Sequence, residues 1–195
     1  MIQQVKSNAF FDVGFSESEQ LPRVFNVTFE EVGHGDRGEV RVSFNGSRQL
    51  GNVISDNSYE NDFYRYHDIF HYSFATLLGW SPCARAMIKC KRKSDSRIDE
   101  IEDGARAAIT EEALSMIIFN EAKRRNYFRG ASRVSETTLR IINEMTENFE
   151  VRVRSSSDWE FAILKSYEIF RDLIDNRGGR VYFDLIGRQI RFEKM

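Results

Sequence analysis

Two short strings carry residues that could do chemistry. YRYHDIFH (Tyr64 to His71) holds His67, Asp68 and His71, and DEIEDGARAAITEEALSMIIF (Asp99 to Phe119) holds Asp103, Glu111 and Glu112. His67 and His71 are four apart, so on a helix both point one way, with Asp68 between them in sequence. A carboxylate is a hard ligand and an imidazole a borderline one, so the trio suits a divalent cation. Adjacent glutamates in an otherwise apolar helix are costly to bury unless paired or metal-bound. The candidate metal ligands are Asp68, Asp103, Glu111 and Glu112; His67, His71 and Glu111 are the candidate catalytic groups. The competing reading is structural: a buried histidine pair bonded to Asp68 and backbone, with Glu111 neutralising a core Arg106 or His67.

Between these strings lies KCKRKSD (Lys89 to Asp95). Lys91, Arg92 and Lys93 could hold phosphates, and Ser94–Asp95 begins a helix whose free N–H groups favour an anion. The bland alternative is a solvated basic helix end. Tyr64 or Tyr66 could stack on a nucleotide base. A zinc protease is not indicated, because no HExxH string occurs. An HD-type phosphohydrolase needs further histidines, and only His34 remains, in an expected turn.

The elements that must position these groups follow from periodicity. VFNVTFEEV (24–32) and EVRVSFNG (39–46) alternate as strands around the turn GHGDRG, and RVYFDLIGRQIRF (180–192) reads as a second hairpin turning near Gly187. A first helix is expected from about Glu60 to Leu78, capped by Asp56 or Ser58 and stopped by Gly79. A second starts at Ser81–Pro82, and a third, capped by Asp95 or Ser96, runs from about Arg97 to Asn126. The third is apolar nearly all round from Ala105 to Phe119, which predicts a central position. Glu102 and Arg106, four apart, predict a surface ion pair. A fourth helix spans about 136–149 after Ser135, VRVR (151–154) reads as extended, and a fifth runs from an Asp158 cap to about Asp175. The fold class is α+β: a central bundle of about five helices with a small antiparallel sheet from N- and C-terminal hairpins.

A chain of 195 residues fits one domain, with 1–23 as an irregular lead segment. Net charge of −2 argues against general nucleic-acid binding. No run reaches the length of a membrane span, and MIQQVKSNAFFDVGF lacks the form of a secretory signal. With Cys83 and Cys90 read as a reduced pair, the expected location is cytoplasmic.

SDNSYENDFYRYHDIFHYSFATLLGWSP, KCKRKSD, EDGARAAITEEALSMIIF and EVRVRSSSDWEFAILKSYEIFRDLIDNRGGRVYFDL, in that order, resemble the C-terminal domain attached to some MazG-like nucleotide pyrophosphohydrolases. The similarity covers roughly residues 24 to 192. It implies a link to the broader all-α pyrophosphohydrolases, which bind magnesium through an ExxE-type pair and an ExxD pair and cleave nucleoside triphosphates to monophosphate and pyrophosphate. This chain departs from that pattern. Arg65 stands three before Asp68, and Leu114 and Ser115 follow Glu111 and Glu112 at the same spacing. The expected function is a divalent-metal-dependent nucleotide pyrophosphohydrolase using Mg2+ or Mn2+, with a partner protein or a homo-oligomer as possible company. The alternative is a non-catalytic nucleotide-sensing or protein-interaction module whose His/Asp/Glu cluster is structural.

Overall fold

The structure, a computed structural model, describes residues 10–32 and 38–195; His34 and most of the GHGDRG turn lie outside the described residues. Strand β1 (Val24–Val32) buries Phe25, Val27 and Phe29 on one face, as its alternation predicts. It pairs antiparallel with β2 (Glu39–Phe44) on one side and with β5 (Gly178–Asp184) on the other. β5 turns into β6 (Gln189–Glu193), where Asp184 Oδ1 accepts the Gly187 N–H at 2.9 Å. Two short strands, β3 (Arg48–Gln49) and β4 (Ile54–Ser55), complete the β2 edge. The sheet order β3-β2-β1-β5-β6 therefore joins the two expected hairpins through β1 and β5, and the α+β class holds.

Helix α1 (Asp68–Leu78) is buried along its whole length. It lies between the sheet, where Tyr72 meets Phe183, and α6 (Ser156–Asn176), where Phe70 stacks on Tyr167 at 4.6 Å and Phe74 meets Trp159. Its onset differs from expectation. Instead of a helix from Glu60, the chain wraps around Asp56, whose carboxylate accepts N–H bonds from Asp62, Phe63 and Arg65. Phe63 takes a left-handed φ of 65°, a 3-10 turn covers Tyr64–Tyr66, and the α-helix begins only at Asp68. Asp56 thus organises a loop in front of the helix, where backbone donors satisfy it better than a single cap would.

Helix α2 (Pro82–Ile88) begins at Ser81, which accepts the Ala84 N–H, with Pro82 in the first turn. The expected third helix is two: α3 (Ser96–Ile101), capped by Asp95, and α4 (Ala105–Arg124). They break at Gly104, where a Cβ would collide with the Glu100 carbonyl. α4 is not the central helix, because Ile109 and Met116 face solvent; α1 takes that place. Glu102 is buried and accepts the Glu150 N–H at 3.0 Å, so the expected surface pair with Arg106 does not form. That bond sits at a 3-10 turn over Glu150–Val153, where an extended piece was expected. α5 (Glu136–Thr146) starts at its Ser135 cap. α6 is capped by Ser155, with Asp158 at the third position completing a capping box.

Candidate metal centre

Three elements converge on His71. α1 supplies His71 and, at its start, Asp68, with His67 just before it; α4 supplies Glu111 and Glu112; the start of α2 supplies Ser81 and the Cys83 N–H. Glu111 is fully buried and accepts from all three: His71 Nδ1 at 2.8 Å, Ser81 Oγ at 2.6 Å and the Cys83 N–H at 2.9 Å. A carboxylate so enclosed needs such donors, since each missing bond would cost about 1–3 kcal/mol.

These bonds settle the histidine tautomers. His71 Nδ1 faces a carboxylate and so carries hydrogen. Its Nε2 is buried and makes no hydrogen bond among the described residues; it lies 3.4 Å from Glu112 Oε1 without hydrogen-bond alignment. His67 Nδ1 faces the Tyr64 carbonyl at 2.9 Å and also carries hydrogen. Its Nε2, 3.3 Å from Asp68 Oδ1, is left as the lone-pair nitrogen of a neutral ring. A nitrogen of each ring and a Glu112 oxygen lie within 4.8 Å of one another. A cation held at about 2.0–2.2 Å by each needs only a modest closing of the three side chains.

The electrostatics match. Burial disfavours charge on His71, but Glu111 and Glu112 outweigh it and raise its pKa well above the ordinary value. The His71 ring in turn holds Glu112 down to about 2, against the effect of burial. Burial dominates at His67 and lowers its pKa despite Asp68. Two carboxylates thus face one proton-binding ring, an excess of negative charge that a cation would balance. Glu112 is 48% exposed, which gives a route from solvent, and Asp68 lines a cleft with His67. A second group, His71, Cys83 and Glu111, is also close, but three donors already hold Glu111 and burial pushes the Cys83 thiol up, so it stays protonated. The donor set that fits a divalent cation is therefore His67, His71 and Glu112, with Asp68 beside them and Glu111 orienting His71 from behind.

The other predicted residues lie elsewhere. Asp103 joins no ligand group among the described residues. It accepts from the Arg92 N–H and from Arg92 Nη2, both at 2.7 Å, and lies 3.7 Å from Arg85 Nε. Arg92, expected to hold phosphate, is 1% exposed and is shared between Asp103 and Glu150. Lys91 and Lys93 line a cleft different from the one at His67 and Asp68. Tyr64 does lie at the centre, its ring stacked on His67 at 4.2 Å. Ser81 and the Cys83 N–H were missed, as was the buried ion pair of Arg85 Nη2 with Asp12 at 2.8 Å; Ser81 is legible as a cap, but its bond to Glu111 is not.

Fold and site together define an α+β protein whose first long helix presents two imidazoles to a pair of glutamates, a centre able to hold a divalent cation. The chain belongs to the MazG C-terminal domain family, whose profile matches residues 6–195. No curated protein and no solved structure matches it. Among the described residues, no helix is long and apolar enough to cross a membrane.

Proposed function

We propose that this domain is a divalent-metal-dependent nucleotide pyrophosphohydrolase that cleaves a nucleoside triphosphate to monophosphate and pyrophosphate. The observation that carries this reading is His71 Nε2: buried, without a hydrogen bond among the described residues, aimed at Glu112, and fixed from behind by Glu111. Two imidazoles in the donor set favour Mn2+ over Mg2+, which prefers oxygen. The ion would supply charge neutralisation at the phosphates and an activated water. His67, His71 and Glu112 hold it. Asp68 lines a cleft of about 350 Å³ with His67, Gly51, Asn52 and Met87, where it can accept the proton of the attacking water. Tyr64 shields the outer face of the His67 ring. Family membership supports a nucleotide as substrate. The two free thiols, both buried, fit a reducing cytoplasm.

One observation favours the non-catalytic alternative. Glu111 is satisfied without any cation, so the cluster is stable as a purely structural unit. Turnover separates the two. The purified protein should release monophosphate and pyrophosphate from some nucleoside triphosphate with Mn2+, and His71→Ala should abolish it. No release from any of the common triphosphates with Mn2+ or Mg2+ would leave the interaction module standing.

A further inference from the structure

Past the end of α2 runs a cleft of about 440 Å³ lined by Lys89, Lys91 and Lys93 together with Ser18, Glu19 and Ala86. It is separate from the metal centre. Cys83, whose N–H meets Glu111, is in the first turn of α2, whereas Lys89 caps its last turn; six residues of helix span about 9 Å. Among the described residues, none of the three ammonium groups has an ion-pair partner; the lysine pairs are made by Lys123 and Lys165.

One carboxylate already stands in the wall of this cleft, and it belongs to the chain. Glu19 Oε1 accepts the Ser94 N–H at 2.7 Å, and Oε2 accepts the Ser94 hydroxyl at 2.5 Å. The Ser94 hydroxyl, first among several donors, holds the Glu19 carboxyl below its usual range. The Glu19 backbone is held independently, because its carbonyl accepts Arg85 Nη1 at 3.0 Å. The carboxylate can therefore leave by side-chain rotation while its 3-10 turn, Glu17–Glu19, stays in place. An amide N–H, a hydroxyl and three unpaired ammonium groups exceed what one carboxylate satisfies. They match a phosphoryl group, with its extra oxygen and larger charge.

We propose that the lysine cleft is a second, phosphoryl-binding site, and that Glu19 occupies it in the absence of ligand. The site goes beyond the pyrophosphohydrolase reading and does not depend on it. A phosphoryl ligand enters as Glu19 swings out, so the glutamate sets the threshold concentration for binding.

The experiment is calorimetric titration of the full chain in EDTA at low salt, so that the metal centre contributes nothing. One arm uses inorganic pyrophosphate and the other a non-hydrolysable nucleoside triphosphate. Glu19→Ala should tighten pyrophosphate about tenfold, an effect that shrinks as salt screens it. Adding Lys91→Ala and Lys93→Ala to that variant should remove the gain. Equal affinity in the two arms identifies the free phosphates as sufficient; tighter nucleotide identifies a nucleotide tail, and either supports the site. If Glu19→Ala melts early, Glu19→Gln, which keeps the side-chain shape, should tighten pyrophosphate in the same sense. Unchanged affinity on loss of the Glu19 charge, or a gain that survives loss of both lysines, would overturn the proposal whatever the metal centre does.

Discussion

His71 donates its Nδ1–H to Glu111 at 2.8 Å, and this bond decides which nitrogen faces Glu112. The adjacent glutamates therefore do different work. Glu111 points into the core and locks three elements together; Glu112, one residue on, points to the solvent-facing side.

That division predicts opposite behaviour for two similar substitutions. Glu111→Gln breaks a buried charge pair and turns an amide N–H2 towards existing donors. It should cost about 3–5 kcal/mol in urea unfolding, a large share of the roughly 5–15 kcal/mol that holds a domain. Glu112→Gln, at a half-exposed site, should cost about 1 kcal/mol or less without metal and lose most Mn2+ affinity. Equal losses of stability in the two variants would contradict the assignment.

Asp103 should prove indifferent to metal. Asp103→Asn leaves Arg92 and Arg85 short of a buried counter-charge and should destabilise by about 3–5 kcal/mol. Mn2+ affinity of the folded fraction should stay within about twofold of the parent, as expected for sites that share no partner. A large drop in affinity would return Asp103 to the ligand set.

The pH dependence follows from the same pair. His71 has a raised pKa, so its contribution is fully present below the unfolded value near 6.5 and is lost as pH rises through the higher folded value. Glu112 has a lowered pKa, so its contribution is present above about 4.5 and is lost as pH falls towards about 2. Metal-free protein should thus gain most from this pair between about 4.5 and 6.5. Mn2+ competes with the proton on His71 Nε2, so the metal-induced rise in Tm should grow from pH 6 to pH 8. Melting curves with and without Mn2+ test this; a shift independent of pH would place the metal away from His71.

The break between α3 and α4 offers a separate check on the fold. Gly104→Ala forces a Cβ against the Glu100 carbonyl at the N-cap of α4 and should destabilise by about 1–3 kcal/mol, against the gain alanine gives where a Cβ has room. Thermal melting would show it, and an unchanged Tm would mean the turn relaxes freely.

Much of this was legible in the sequence. The alternation of Phe25, Val27 and Phe29 and of the 180–192 segment marked both hairpins, and the spacing of His67, His71 and Glu111 marked the polar seam of α1 and α4. What was not legible depends on long-range partners. KCKRKSD reads as uniformly basic, yet Arg92 turns inward because Asp103 and Glu150 wait for it, while Lys91 and Lys93 stay outside. The helix onset at Asp68 was missed because Asp56 draws the preceding N–H groups into a loop. Glu111 looked like a metal ligand because its three donors come from two other elements, and no local pattern announces them.

The pairing of β1 with β5 carries a consequence for biosynthesis. Val24 lies opposite Asp184, so the centre of the sheet joins segments 160 residues apart. Until α6 and β5 leave the ribosome, α1 lacks the helix face and the strand that cover it, and Phe70, Tyr72 and Phe74 stand on an open surface. Ordering of this centre therefore waits for both segments, and a nascent chain stalled before Gly178 should hold cations only loosely.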